Sequence, residues 1–234
     1  MRLDLFRFSG DHIPHVAIIL IRWPDGGTHT GIVYREKDGQ LHLIDLQGNR
    51  QLSTKLWAGK YAHVIPNVDS DAIENIASLC RVISERNGKL KAGGQQGEIL
   101  YALKIDAAAR FNAATGDLHL KEGIGLTCAS FVLIVFLTAG VPLVDLENWP
   151  PRESDDVRHD QLVNMLRGGC TPEELAKVQG ERPCSRVAPE EVAGAGLSPK
   201  LPLYEPLSQT EAGLAGKWLL GALDLNTRFG WKPS

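Results

Sequence analysis

Residues 127–138 form the segment that most constrains how this chain can fold. Their sequence, TCASFVLIVFLT, puts apolar side chains on every face of a helix, so a helix formed here must be buried nearly all round. A loop containing Gly123 and Gly125 precedes the segment, and Gly140 and Pro142 follow it, as is typical of a helix end. The segment therefore predicts a central helix on which other elements pack.

The N-terminal part of the chain predicts an antiparallel sheet. Three runs rich in branched apolar residues, HVAIILIRW, HTGIVY and LHLIDLQ, are separated by the turn sequences WPDGGT and REKDGQ. The last two runs are expected to pair as a hairpin that turns through Glu36–Gly39. Strands first and helices later predict an α+β fold, with the sheet packed on the helix that bears Cys128.

Two further helices are predicted before that central one. Residues 67–89 place their apolar side chains, including Cys80, on one helical face, and the pair Asn87-Gly88 suits the end of a helix. Cys80 is therefore expected to be a core residue. Residues 99–116, ILYALKIDAAARFNAATG, are also predicted to be helical, with an end marked by asparagine and glycine.

The sequence becomes more polar after Pro150-Pro151. Three short polar segments, RESDDVRHDQLVNMLRGG, TPEELAKVQGERP and APEEVAGAG, predict helices, and the last two begin with proline. Residues 208–223 predict a final amphipathic helix. We therefore expect a main domain over residues 1–150 and a helical C-terminal extension over residues 151–234 that packs on it.

The composition argues against several classes of function. The formal charge of −3, the pI near 6.2 and the aromatic share of 6% provide neither a basic surface nor a stacking platform, so nucleic acid is not an expected partner. The apolar run Phe131–Leu137 is too short to span a membrane, and Val16–Ile21 is too short for a signal-peptide core. We expect a cytoplasmic protein, with export by a signal-independent route left open.

The four cysteines, at positions 80, 128, 170 and 184, lack the paired spacing of zinc ligands or of a disulfide framework. Neither a metal nor a cofactor is therefore expected. Reduced thiols agree with a cytoplasmic location.

Cys128 stands at the predicted first turn of the central helix. A helix N-terminus offers unpaired N–H groups and a positive dipole end, which favour the thiolate form of a nucleophilic cysteine and can hold an oxyanion. Thr127 as the N-cap residue and Ser130 in the first turn are expected to support this oxyanion site with hydrogen bonds. The alternative is an inert core residue, because free cysteine is among the most buried residue types.

A nucleophilic cysteine requires a base, and His29 is the best candidate among the seven histidines. The predicted hairpin places His29 opposite residues 45–46, where Asp45 can accept the second ring N–H and fix the tautomer. Asp45 also interrupts an apolar series, in which a carboxylate requires a partner.

Other assignments of base and acid stay open at this point. His42 lies closer to the turn than Asp45 and competes with it as the orienting group. If His15 or His63 faces the sulfur, it replaces His29 as the base. His29 would then be an ordinary histidine at a strand edge.

Two segments together resemble a known family. The stretch THTGIVYREKDGQLHLIDLQ resembles the H-V-G-I-V … V-I-E-A hairpin of circularly permuted papain-like enzymes, the YiiX-like branch of the NlpC-type hydrolases. The stretch TCASFVLIVFLTAGVPL is similar to the C-S-x-F/L-V helix of that family, which ends before a G-(I/V)-P-L turn. The resemblance covers roughly residues 10–145 and implies a permuted papain-like fold, in which histidine and acid precede the cysteine.

The resemblance implies that Cys128 is the nucleophile, His29 the base and Asp45 the orienting acid. The chain departs from the family pattern at Ala129, where serine is usual, at Thr30, where valine is common, and at Asp45, which replaces glutamate. Aspartate is shorter than glutamate by one methylene, so its contact with His29 depends on how closely the strands bring the two groups together.

The function that the resemblance implies is a thiol hydrolase of the amidase or peptidase type. It would act through an acyl-enzyme on a peptide, isopeptide-like or lipid-acyl substrate. One alternative is a non-catalytic binding or scaffold protein that retains the fold, and another is an acyltransferase of the same superfamily. Specificity is expected to reside in loops such as Lys91–Gly97 and in the C-terminal helices.

Overall fold

The computed structural model describes residues 13, 15–23, 27–59, 61–121, 124–198 and 200–203. The strands of this part are β1 (Val16–Arg22), β2 (Thr28–Arg35), β3 (Leu41–Leu46), β4 (Leu52–Leu56), β5 (Ala62–Val64), β6 (Arg110–Phe111) and β7 (Leu118–His119). The helices are α1 (Ser70–Ala92), α2 (Cys128–Thr138), α3 (Glu153–Leu166), α4 (Pro172–Gln179) and α5 (Pro189–Leu197). The predicted α+β class with an antiparallel sheet is confirmed.

The first five strands form one antiparallel sheet in the order β4-β3-β2-β1-β5. Both faces of its centre are buried: Ile18 and Ile32 belong to the main core, and Ile19 and Val33 to a smaller core on the opposite face. A strand buried on both faces needs apolar residues at nearly every position, which explains the unbroken apolar run in β1.

Helix α2 lies in the main core, and every side chain from Cys128 through Phe136 is buried. Thr127 and Ser130 cap its start reciprocally, each hydroxyl accepting a hydrogen bond from the backbone N–H of the other residue, at 3.1 and 2.7 Å. Gly140, with a φ of 88°, follows the helix end. The prediction of a central buried helix in this segment is confirmed.

The three polar segments predicted as helices after residue 150 are confirmed as α3, α4 and α5. Helix α5 joins the main core through residues such as Val192, and a Cβ at Gly196 would come within 2.9 Å of Ile18 Cδ1 on β1. Helices α3 and α4 form a smaller apolar cluster around Leu162. Because α5 belongs to the predicted extension but packs in the main core, the structure does not separate the two predicted domains. The division into two domains therefore stays a prediction.

Helix α1 continues beyond its predicted end at Asn87-Gly88 and reaches Ala92. Asn87 is buried, and its Nδ2 donates to the Leu52 carbonyl oxygen at 3.0 Å, while Lys91 Nζ donates to the same oxygen at 2.9 Å. These contacts with β4 hold the asparagine–glycine pair inside the helix against its preference for a turn.

The prediction of a helix over residues 99–116 is wrong. Leu100 pairs with Gly125 in the segment that leads into α2, and Leu126 N donates to Leu100 O at 2.9 Å. A Cβ at Gly125 would lie 2.2 Å from that oxygen, so this close approach requires glycine. Asp106 favours a turn by accepting the N–H two residues further on. These contacts override the helix propensity of an alanine-rich sequence.

Two predictions concern residues outside the described part of the chain. These are the role of Gly123 in the loop before α2 and the final amphipathic helix over residues 208–223. Within the described part, no helix combines the length and the apolar character that a membrane crossing requires.

Candidate active site

His29 and Asp45 form a buried pair between neighbouring strands. His29 lies near the start of β2 and Asp45 near the end of β3, and they are 5% and 1% exposed. Nε2 of His29 lies 2.8 Å from Oδ2 of Asp45, and Gln47 Nε2 donates to the same oxygen at 3.2 Å. Because Nε2 carries the proton that binds the carboxylate, Nδ1 is the ring nitrogen left for a second partner.

The strand register differs by one residue from the predicted one. Ile32 pairs with Ile44, which places Asp45 beside Gly31 rather than opposite His29. Side chains two positions apart on a strand share a face, so His29 reaches Asp45 diagonally, past Gly31. A Cβ at Gly31 would lie 2.7 Å from the Asp45 Cβ. Glycine is therefore required for this contact, a role that sequence reasoning missed.

Cys128 is the first residue of α2, and its side chain meets His29. The sulfur and the imidazole are close enough for each group to shift the pKa of the other, and the backbone of Thr30 also favours the thiolate. Cys128 is 4% exposed and lines a cleft. The structure thus brings together all three residues that the sequence singled out as nucleophile, base and orienting acid.

The competing histidines lie in other surroundings. His42 on β3 packs with its ring centroid 6.0 Å from that of a neighbouring tyrosine, and His15 lies 3.8 Å from a surface glutamate. His63 is buried on β5, with its ring centroid 6.3 Å from that of a tryptophan. The contacts with both Asp45 and Cys128 are made by His29.

The electrostatics of the site favour a thiolate paired with an imidazolium. Burial disfavours both charged forms, since it lowers the pKa of His29 and raises that of Cys128. The hydrogen bond to Asp45 and the interaction with Cys128 together outweigh burial and raise the pKa of His29 to about 9. The interactions of the sulfur with His29 and Tyr101 likewise outweigh burial and hold the pKa of Cys128 below its ordinary value.

Thr127 and Ser130 fix the first turn of α2 beneath Cys128. Each hydroxyl binds the backbone N–H of the other residue, and the two hydroxyl oxygens lie 3.2 Å apart. Both N–H groups are thus already occupied, so neither residue offers one to an oxyanion. These two residues therefore support the first turn of α2, and a contribution of their hydroxyls to an oxyanion site stays a prediction.

Tyr101 is a site residue that sequence reasoning missed. Its hydroxyl oxygen lies 3.5 Å from Sγ and 3.4 Å from the backbone N of Cys128. Burial, followed by the nearby charge of Cys128, raises the pKa of Tyr101, so its hydroxyl keeps its proton and can donate. The pairing of Leu100 with Gly125 brings Tyr101 here, and the wrong helix prediction for this segment concealed it.

A cleft of about 400 Å³ opens beside Cys128 and His29. Residues along its walls include Trp23, Tyr101, Arg158, Leu162, Met165 and Arg186. Three of these belong to α3 and one to the segment before α5, which agrees with the expectation that the C-terminal helices shape specificity. The loop Lys91–Gly97, the other expected contributor, does not line the cleft.

The other three cysteines differ from Cys128. Burial raises the pKa of Cys80 and Cys170, and it raises the pKa of Cys184 to about 11. Within the described residues, no group of three or more histidine, cysteine, aspartate or glutamate side chains could hold a metal ion. Cys128 is therefore the cysteine whose surroundings favour the thiolate.

No protein-family model, curated protein or solved structure matches this chain. The family resemblance therefore stays a prediction, and the geometry of the site carries the functional conclusion.

Proposed function

We propose that this protein is a thiol hydrolase of the amidase or peptidase type. Cys128 is the nucleophile, His29 transfers the proton and Asp45 orients His29. The supporting observation is that His29 is hydrogen-bonded to the Asp45 carboxylate and lowers the pKa of the Cys128 sulfur, which lies at the N-terminus of a buried helix and beside an open cleft. The substrate is a peptide, isopeptide-like or other acyl compound.

The first half of the reaction acylates Cys128. The thiolate attacks the carbonyl carbon, a C–S bond forms, and the carbonyl π electrons move onto oxygen. The hydroxyl of Tyr101 accepts from the N–H of Cys128 and donates to the sulfur, and it can donate to this oxyanion once the sulfur has lost its negative charge. As the tetrahedral species collapses, the leaving amine or alcohol takes the proton from His29, and a thioester remains on Cys128.

The second half of the reaction restores the ion pair. His29, now neutral, removes a proton from water while the water oxygen attacks the thioester carbonyl. Collapse of this second tetrahedral species releases the carboxylic acid and returns the thiolate beside the imidazolium. Asp45 holds the ring in one orientation throughout and stabilises its positive charge.

The permuted papain-like fold is part of the same proposal. Its support is that histidine and acid come first in the chain and lie on adjacent antiparallel strands, while the cysteine follows and begins a buried helix packed against them. The C-terminal helices then complete the cleft.

Acylation by an activated ester tests the proposed function. The protein is mixed with p-nitrophenyl acetate, released nitrophenol is followed, and the acetyl adduct is located by peptide mass spectrometry. We expect an adduct on Cys128 and repeated turnover, with both lost in Cys128→Ala and kept in Cys170→Ala. A stable protein without an adduct on Cys128 would contradict the proposal and favour a non-catalytic binding role. Adding a small amine as acceptor separates hydrolysis from acyl transfer.

A further inference from the structure

Two arginines line the cleft that contains the reacting sulfur. Arg158 lies on α3 and Arg186 in the segment before α5, so they approach Cys128 from the C-terminal part of the chain. The described residues that line the cleft include no aspartate or glutamate. The walls of the cleft are therefore positively charged.

Neither arginine forms an ion pair with another described residue. Arg158 Nη1 donates to the neutral Oε1 of Gln161 at 2.9 Å, and the recorded hydrogen bonds of Arg186 involve its backbone. Five of the arginines outside the cleft behave differently. Those paired with carboxylates are Arg50, Arg81, Arg86, Arg152 and Arg182.

Two acidic groups near the cleft are already engaged. Glu190 accepts a hydrogen bond from the Thr28 hydroxyl at 2.9 Å. Asp155 Oδ2 accepts from the backbone N–H groups of Arg152 and Arg186, at 3.1 and 3.2 Å. Among the described residues, no carboxylate therefore pairs with either guanidinium group of the cleft, and guanidinium groups match the oxygen pairs of carboxylates and phosphates.

Part of the remaining wall of the cleft is apolar and exposed. Trp23 is 50% exposed and Met165 is 64% exposed, and both line the cleft. Exposed large apolar side chains next to unpaired cations are typical of a binding surface for a molecule with an apolar part and an anionic part.

We infer that the cleft selects acyl substrates that carry an oxyanion group, a carboxylate or a phosphate, which Arg158 and Arg186 bind while the apolar part of the substrate lies against Trp23 and Met165. This inference rests on the proposed function, because it assigns the substrate class of the Cys128 site. A neutral substrate of equal size leaves both guanidinium groups without a partner and is therefore disfavoured.

Iodoacetate and iodoacetamide provide the test, because both alkylate thiolates and are close in size but differ in charge. The ratio of their rates at Cys128 is measured by peptide mass spectrometry and divided by the ratio for free cysteine. We expect the normalised ratio to favour iodoacetate in the intact protein. It should fall by about threefold to tenfold in Arg158→Gln or Arg186→Gln, because each variant removes one nearby charge. Arg167→Gln, which alters an arginine outside the cleft, should leave it unchanged.

The outcomes separate this inference from the proposed function. If iodoacetamide alkylates Cys128 rapidly but neither arginine variant changes the ratio, the inference is overturned and the proposed function stands. If Cys128 resists both reagents, the inference and the proposed function are both overturned.

A second measurement uses the unaltered protein and asks which small molecules protect Cys128 from alkylation. Propionate or inorganic phosphate should slow the alkylation of Cys128 by iodoacetamide, whereas propionamide should not. Equal protection by all three compounds would overturn the inference. The anion that protects Cys128 more strongly shows whether the cleft prefers a carboxylate or a phosphate group.

Discussion

Cys80 and Cys128 are both buried in helices that pack on the main core, yet their thiols differ. Cys80 lies in the middle of α1, where burial raises its pKa and the opposing charge of Arg81 is too weak to offset it. Cys128 lies at the start of α2, where burial also opposes ionisation but the contacts with His29 and Tyr101 outweigh it. The comparison teaches that burial alone raises the pKa of a thiol and makes the cysteine inert, whereas a paired cation at the start of a helix lowers that pKa despite burial.

The largest expected effect comes from removing the cation. In His29→Gln, Cys128 keeps its burial and loses the imidazolium, so its pKa should rise above the ordinary value, as that of Cys80 does. We expect alkylation by iodoacetamide at about pH 6 and ester hydrolysis to fall by about 10²–10⁴-fold. His42→Gln, on the neighbouring strand, is the matched control and should keep both rates. Unchanged alkylation in His29→Gln would show that the contrast between the two cysteines has another cause.

A smaller effect is expected from Asp45→Asn, which keeps the shape of the acid and removes its charge. Asp45 helps to raise the pKa of His29 to about 9, so the variant should lower that pKa. Since hydrolysis requires protonated His29, activity is present below this pKa and lost as the pH rises through it. The alkaline limit of the pH–rate profile should therefore move from about 9 to lower pH, with a rate loss of about a hundredfold to a thousandfold.

The control for this variant is Asp38→Asn, which alters an exposed carboxylate in the β2–β3 turn. It should leave the profile unchanged. An alkaline limit that stays in place in Asp45→Asn would mean that Asp45 does not set the pKa of His29.

The smallest effect is expected from Tyr101→Phe, which preserves the ring and deletes the hydroxyl beside the sulfur. The turnover of p-nitrophenyl acetate should fall by about tenfold to a hundredfold because an oxyanion donor is lost. Alkylation should slow only a few-fold, since His29 still holds the pKa of Cys128 down. Tyr61→Phe, at a tyrosine outside the cleft, should affect neither rate. Equal losses in both reactions would show that Tyr101 acts on the thiolate and not on the oxyanion.

Local sequence patterns predicted strands β1, β2 and β3, the buried helix α2 and the pairing of His29 with Asp45, because these depend on neighbouring residues along the chain. The register of the hairpin was off by one residue. Gln40 belongs to the turn, since Glu36 N donates to Gln40 O at 2.8 Å, and Arg35 therefore pairs with Leu41. The strand pairing was visible in the sequence, but the exact length of the turn was not.

The residues that sequence reasoning missed depend on contacts between distant parts of the chain. Tyr101 reaches the sulfur because Leu100 pairs with Gly125, and composition alone favoured a helix there. Arg158 and Arg186 reach the cleft because helices after residue 150 pack beside the sheet. Neither the hydrophobic periodicity nor the spacing of residues along the chain indicates such proximity. These three residues could therefore be assigned to the site only from the folded structure.

The most direct test of the account is the pH dependence of iodoacetamide labelling, resolved for each of the four cysteines by peptide mass spectrometry. The account predicts that Cys128 labels readily at about pH 6, well below the ordinary thiol pKa of about 8.5. Cys170, which is partly exposed, should label only as the pH rises toward and above that value. Labelling of Cys128 that rises with pH in parallel with Cys170 would contradict the claim that Cys128 is held as a thiolate by His29.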